Sequence, residues 1–268
     1  MVSFSGLPHF TADDVFRSFG SPEEPPQVSS SMCKAVLPTG ITVTVRKIEL
    51  QGKKRGVVLK VLTQMGNARH VNLLRLLGFC YNNHLVYVLY DNNNLHTGTL
   101  AEKMSGVAKG LCFLNHECYP AIPHGDVKSS NVLFNDDNNT EPCLGEFGFK
   151  YMLHLNKGLV SSDQMNDVIR AEQQKDVYSF GELVLEILSN GKLRDAGRLV
   201  HNKPKDVLLR EVYAENENGF EQQVKRVVEV ALLCISSNQC DRPCMEDALR
   251  FLSEPHSSSR LQTVLNYT

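Results

Sequence analysis

Eight cysteines are the first candidates for metal or redox chemistry in this 268-residue chain. Cys33, Cys80, Cys112, Cys118, Cys143, Cys234, Cys240 and Cys244 form no Cys-x-x-Cys and no Cys/His pair with ligand spacing. They read as small buried hydrophobes in a reducing cytosol rather than as zinc ligands or disulfide partners. The densest run of chemically capable side chains is His124-Gly125-Asp126-Val127-Lys128-Ser129-Ser130-Asn131. It sets a carboxylate, an amine and a carboxamide within a few positions. Ser161 and Ser162 read either as phosphate acceptors or as ordinary serines of a polar loop. Lys53-Lys54-Arg55 reads as a solvated face.

These groups need a scaffold, and the bulk numbers allow one. At ~150 residues per domain the length fits one large domain or two small lobes. Apolar residues make up 42% of the chain, enough for a core. The net charge of -2, without a basic stripe, argues against nucleic acid as a partner. No apolar run approaches the ~20 residues that span a bilayer. Met1-Val2-Ser3-Phe4 lacks a signal-peptide core and a second-position glycine, so a soluble protein is expected.

Residues 1–31 form a Ser-, Pro- and Gly-rich N-terminal segment, partly disordered. Within it Phe10 to Val15 can start a short helix capped by Thr11. Residues 32–50 read as a hairpin, because Ile41, Val43 and Val45 alternate with Thr42, Thr44 and Arg46. Thr44 and Arg46 therefore share a face, and Lys47 points the other way. A helix over 53–66 and strands over Val71–Tyr81 and Leu85–Tyr90 complete a strand-rich lobe over 32–90. Residues 91–99 read as a connector and 100–253 as a helical lobe. Its helices fall over 101–116, Asp176–Asn190 (closed by Gly191), 219–235 and 243–253. The tail, 254–268, reads as flexible. A β-rich lobe followed by a helical one is an α+β arrangement with a cleft between.

The run His124 to Asn131 resembles the catalytic loop of protein kinases, His-Arg-Asp-x-Lys-x-x-Asn. Glu146-Phe147-Gly148, Asp176-Val177-Tyr178-Ser179-Phe180-Gly181 and Asp241-Arg242-Pro243 follow in the kinase order. Each is weak alone, and the series is specific. Gly110-Leu111-Cys112-Phe113-Leu114 and Ala231-Leu232-Leu233-Cys234 narrow the likeness to plant leucine-rich-repeat receptor-like kinases. Phe10 to Val15 is similar to the segment before the kinase domain in peptide receptors of vascular meristems. The likeness covers about residues 10–253. It implies a two-lobed kinase-like fold with a small β-rich N-lobe and a larger helical C-lobe. It also implies that ectodomain and membrane helix are missing.

The resemblance assigns roles residue by residue, and many are degraded. Asp126 takes the place of the base, beside Lys128, with Asn131 as a metal ligand. All three are retained, either for residual catalysis or, the favoured reading, as a vestigial set that braces its loop by hydrogen bonds. Gly125 replaces the loop arginine. The phosphate-covering glycines fall on Pro25, Gln27 and Ser30, and two prolines there remove backbone donors. Arg46 replaces the strand lysine, either as a substitute phosphate clamp or, the favoured reading, as a solvated cation. Thr44 and Tyr90 complete a degenerate ATP site. The helix glutamate falls on Val61, or on Lys60 with a one-residue shift. Glu146 replaces the magnesium aspartate, which weakens magnesium binding and leaves Mn²⁺ or Ca²⁺ better tolerated. The activation segment, Phe149–Lys175, lacks Ala-Pro-Glu, leaving Arg242 unpaired or turned to an acid such as Asp241. His70 and His124 read as packing histidines of this fold. Part of the segment after the hinge is absent, Leu100 to Gly106 joining the flanks directly. A genuine deletion and a mis-spliced gene model both account for it.

The function implied is a pseudokinase scaffold or regulatory module related to receptor-like kinases. The alternatives are a weakly active Ser/Thr kinase using ATP with Mg²⁺ or Mn²⁺, and a non-functional truncated product. The expected partners are other receptor kinases or signalling proteins. The expected place is the cytoplasm, at the plasma membrane through receptor partners.

Overall fold

The computed structural model describes residues 2–4, 11–17, 32–37, 40–50, 52–91, 104–133, 141–156, 162–193 and 221–253. The N-lobe holds a five-stranded antiparallel sheet in the order β1-β4-β5-β3-β2. Its strands are β1 (Val2–Ser3), β2 (Met32–Val36), β3 (Thr42–Glu49), β4 (Leu76–Tyr81) and β5 (Leu85–Asp91). The β2–β3 hairpin forms as its alternation predicts, with Gly40 at φ +80° in the turn. Asn82 closes the β4–β5 turn, its Oδ1 accepting from the backbone of His84 and Leu85 at 2.8 Å each.

Each face of the sheet is covered. Val43, Val45 and Leu89 pack with Val15 from helix α1 (Ala12–Arg17). Thr11 caps that helix as expected, its Oγ1 accepting from the Asp14 amide at 3.2 Å while the Asp14 carboxylate accepts from the Thr11 amide at 2.6 Å. The other face, with Ile48, Val86, Val88 and Tyr90, packs on helix α2 (Arg55–Asn67) and runs on into the helical lobe. Residues 2–4 lie within the segment that the sequence marks as partly disordered. Val2 and Ser3 extend the sheet, and the ring of Phe4 fills the space that Gly66 leaves open.

The strand expected over Val71–Tyr81 begins only at Leu76. The preceding residues join the lobes. The Leu74 amide donates to the Leu144 carbonyl at 2.9 Å, and the Leu144 amide to the Asn72 carbonyl at 2.8 Å. Asn72 is fully buried and donates its side chain to the Pro142 carbonyl at 2.9 Å. The two backbone bonds form an isolated parallel bridge between Leu73 and Leu144 across the interlobe joint, in place of pairing within the N-lobe sheet.

In the C-lobe, α3 (Met104–Cys112) runs into a π-helical turn, Phe113–Glu117. The short hairpin β6 (Val132–Leu133) and β7 (Cys143–Leu144) follows. Then come α4 (Phe149–Asn156), α5 (Ser162–Leu188), α6 (Glu221–Cys234) and α7 (Met245–Ser253). Val177, Phe180, Leu183, Val184 and Leu185 of α5 are buried, as its apolar pattern predicts. Gly191 ends it at φ +82°, its amide reaching back to the Glu186 carbonyl at 2.7 Å. The helix begins at Ser162 rather than at Asp176. Polar, amphipathic sequence from Ser162 to Lys175 continues the same spiral, which all-round hydrophobicity alone does not reveal.

A Cβ on Gly181 would come within 2.7 Å of the Ala231 carbonyl oxygen and 2.8 Å of the Cys234 Cβ. The α5–α6 contact therefore depends on that glycine. Gly181→Ala is expected to destabilise the fold by about 1–3 kcal/mol, read as a lowered urea midpoint with unchanged slope.

Candidate active site

The cleft is built from three backbone pieces. On β3, Thr44 and Arg46 turn toward the cleft and Lys47 is exposed, as the strand period predicts. Thr44 pairs with Tyr90 in register. Tyr90 is fully buried, and its hydroxyl has no hydrogen-bond partner among the described residues. Burial raises the Tyr90 pKa, so the phenol stays neutral.

Arg46 is not a solvated cation. Its guanidinium forms an ion pair with the Glu146 carboxylate and lies 4.1 Å over the ring of Phe149. Their side chains are only 19% and 15% exposed. Burial lowers the arginine's pKa, and the fields of Tyr90 and Asp126 oppose that. The acid that the sequence seeks on α2 is absent there. Val61 is buried in the core and Lys60 points to solvent. Arg46 thus finds its counter-charge in the other lobe.

The second piece is the loop His124–Asn131. Asp176 of α5 holds it from beneath, accepting from the amides of His124 at 2.6 Å and Gly125 at 2.7 Å. Burial pushes that carboxyl up to about 7, against the pull of the two donors. His124 is fully buried, and desolvation drops it to about 4, so it packs as a neutral ring. His70 likewise packs, stacked on Phe113 with ring centroids 5.0 Å apart. Asp126 is gripped from several sides. Lys128 reaches one carboxylate oxygen at 2.8 Å, Lys150 the other at 2.6 Å, and Asn131 Nδ2 donates at 3.1 Å. Burial acts to raise the Asp126 pKa, but the two lysines outweigh it and hold the group at about 2.

The third piece carries Glu146-Phe147-Gly148. Glu146 has φ +63° and Gly148 φ +80°. A left-handed glutamate is uncommon and strained, so the surrounding contacts must hold it. Phe147 is buried, and Gly148 sits against Met65 of α2. Helix α4 starts at once after this corner. It delivers Phe149 to Arg46 and Lys150 to Asp126. The expected activation segment, Phe149–Lys175, is therefore helical over Phe149–Asn156 and again from Ser162. Gly125, at φ +78°, lets α4 approach, since a Cβ there would lie 3.1 Å from that of Lys150.

Arg242 is not turned to Asp241 and meets no acid among the described residues. It donates to the carbonyls of Ser236 at 2.8 Å and Gln174 at 3.4 Å and lies 4.7 Å over Tyr178. The structure thus brings Arg46, Thr44, Tyr90, Glu146, Asp126, Lys128 and Asn131 to one cleft. Sequence reasoning missed Lys150 and the bracing role of Asp176. Lys150, one residue into a helix after a left-handed corner, carried no motif to mark it. Pro25, Gln27, Ser30, Ser161, the connector 92–99, the junction Leu100-Ala101-Glu102-Lys103 and the tail 254–268 lie outside the described residues, as do the side chains of Cys33 and Ser162.

A family model described as protein tyrosine and serine/threonine kinase matches residues 27–252. The chain belongs to the protein kinase family. Its curated relatives are receptor-like kinases of plants. It is 27% identical to the leucine-rich repeat receptor-like protein kinase TDR of Arabidopsis thaliana over 95% of this chain, and 30% identical to LRR receptor-like serine/threonine-protein kinase RGI2 over 79% of it. The chain spans only 29% and 22% of the length of these two relatives. The alignment with TDR runs over 303 positions, more than the 268 residues present here, so that kinase carries residues with no counterpart in this chain. In fold, the kinase domain is similar to the pseudokinase domain of BIR2, an immune regulator (TM-score 0.69, 22% identity, 96% of this chain and 91% of that one). It is also similar to Rad53 in complex with AMP-PNP (TM-score 0.61, 18% identity, 89% and 66%). No helix among the described residues is long and apolar enough to cross a membrane.

The pairing of Asp126 has a measurable signature. Its folded pKa of about 2 lies below the ordinary 3.8, so it contributes stability above about pH 4 that is lost as pH falls toward 2. Lys150→Met is expected to move the Asp126 pKa back toward 3.8, seen in its carboxyl ¹³C titration, and to make that acid-side loss shallower.

Proposed function

We propose that this kinase domain is a pseudokinase that acts as a regulatory or scaffolding module among receptor kinases. The observation that carries the reading is the Arg46–Glu146 pair. Phosphoryl transfer needs a cation free to hold phosphates and a carboxylate free to hold a metal. Here those two positions neutralise each other across the cleft. Asn131 already donates to Asp126, whose own oxygens are held by two lysines. This arrangement does not fit ATP with magnesium. Glutamate in place of aspartate and Pro25, Gln27 and Ser30 in place of glycines point the same way. The likeness to the pseudokinase domain of BIR2 is in keeping with this reading. The related receptor kinases make other receptor kinases or signalling proteins the partners to look for. A place in the cytoplasm, near the plasma membrane through them, follows from the same reading.

A second reading, a weakly active Ser/Thr kinase using Mn²⁺, is favoured by one observation. Lys128 and Asn131 each remain within hydrogen-bonding distance of the Asp126 carboxylate.

Thermal unfolding of the purified protein is expected to be cooperative and unmoved by ATP with Mg²⁺ or Mn²⁺. A ligand bound to the folded state would add about 2.7 kcal/mol at a hundredfold excess over its dissociation constant, a shift too large to miss. Such a shift overturns the dead-cleft reading. Phosphate transfer that disappears in Asp126→Asn would establish the kinase instead. Absence of any cooperative transition would point to a truncated product.

A further inference from the structure

One edge of the N-lobe sheet is closed by a strap of three described residues. β1 pairs antiparallel with β4, Val2 opposite Phe79 and Ser3 opposite Gly78, and the Phe4 amide donates to the Leu77 carbonyl at 3.0 Å. The strand period sorts the side chains. Ser3 is exposed, whereas Val2 packs on the core and Phe4 is buried. The Phe4 ring lies in a socket between α2 and β4, tilted against Phe79 with ring centroids 6.1 Å apart. Two glycines make the seat. A Cβ on Gly66 of α2 would overlap the tip of the Phe4 ring, and a Cβ on Gly78 would come within 2.7 Å of the Val2 carbonyl oxygen. Neither glycine has a left-handed φ, so the close approach of the strap is what each one serves.

Such a seat recognises a pattern rather than one sequence. It takes an extended backbone with an apolar side chain, any residue, then an aromatic ring. The strap that fills it is a weak closure. Burying one phenylalanine side chain shifts an equilibrium by about 10–100-fold, and chain ends are among the first parts of a fold to open. Once the strap lifts, β4 is the edge of the sheet, a row of backbone donors and acceptors ready for another strand. The strap also stops short of the edge it covers. β4 continues through Cys80 to Tyr81, which have no strand on this side among the described residues. Tyr81 is 37% exposed, and its ring is 6.2 Å from that of Phe79. An occupant two residues longer at its N-terminal end sets a third apolar side chain beside Tyr81, on the same face. It thereby gains a contact that the strap does not make.

We propose that the groove between α2 and β4 is a docking site for an extended segment of a partner protein, apolar at three alternate positions with an aromatic ring at the third. Residues 2–4 hold the groove in the partner's absence. The site gives the scaffold reading a surface but stands apart from it, because it lies outside the cleft and its test involves no nucleotide.

The test uses the whole purified chain and a fluorescently labelled peptide, Val-Thr-Val-Ser-Phe-Lys, with binding read by anisotropy. Phe4→Ala vacates the socket, so this variant is expected to bind the peptide at least tenfold more tightly than the wild type, in which the strap competes. Alanine in place of the peptide's phenylalanine is expected to abolish binding. Adding Gly66→Ala to the Phe4→Ala variant fills the socket with a methyl group and is expected to weaken binding by about tenfold or more. That change favours the helix, so the loss is not one of folding. If Phe4→Ala does not fold, the wild type is titrated with excess peptide, and displacement of the strap is read as faster hydrogen exchange of the Phe4 amide. No binding to Phe4→Ala, binding indifferent to Gly66→Ala, or Phe4 exchange unmoved by excess peptide would each overturn the proposal. Concentration-dependent dimerisation of the wild type that Phe4→Ala removes would also overturn it, by placing a second copy of this chain in the groove.

Discussion

The arrangement of the cleft turns on one ion pair. Arg46 projects from the middle of β3, and Glu146 sits at a left-handed corner of the other lobe. Two charges this far out of water are tolerable only when they meet. Their meeting fixes the closure of the lobes, and the Phe149 ring beneath the guanidinium fixes where the next helix must start. A cation usually dedicated to a ligand is here used by the protein on itself.

Helix α4 extends that constraint to the catalytic loop. Its first residue, Phe149, serves Arg46 and its next, Lys150, serves Asp126, so the two halves of the cleft are tied to a single turn of helix. Gly125 admits the helix at close range. Beneath, Asp176 holds the loop backbone through two short hydrogen bonds. The carboxylate of Asp126 is thereby ionised yet occupied, a state that suits a structural brace better than a proton acceptor.

Much of this was legible from sequence where the signal was local. The alternation over Ile41–Arg46 placed Arg46 and Lys47 on opposite faces. Thr11 announced a cap, and the apolar stretch after Asp176 announced a buried helix. The run from His124 to Asn131 was readable because its groups act within one loop. What could not be read depends on reach across the fold. Arg46 and Glu146 are a hundred positions apart in sequence, and nothing local says that a strand arginine will bend to a carboxylate rather than to water. The strand expected from Val71 failed because Asn72 and Leu74 use their hydrogen bonds on Leu144 and Pro142, a choice made by tertiary contact. Arg242 goes without an acid because arginine can satisfy itself on carbonyls and an aromatic face, which no local signal announces.

Val61 now lies within the apolar core of the N-lobe, beside Val58, Leu62 and Met65. A glutamate introduced there would have to shed its water among hydrocarbon side chains, at a cost of several kcal/mol unless a cation met it. The cations of the cleft are already engaged, Arg46 by Glu146 and Lys128 and Lys150 by Asp126. A glutamate placed at this position by a single substitution would thus lower the stability of the fold. The buried valine therefore acts as a latch against a charged replacement made alone.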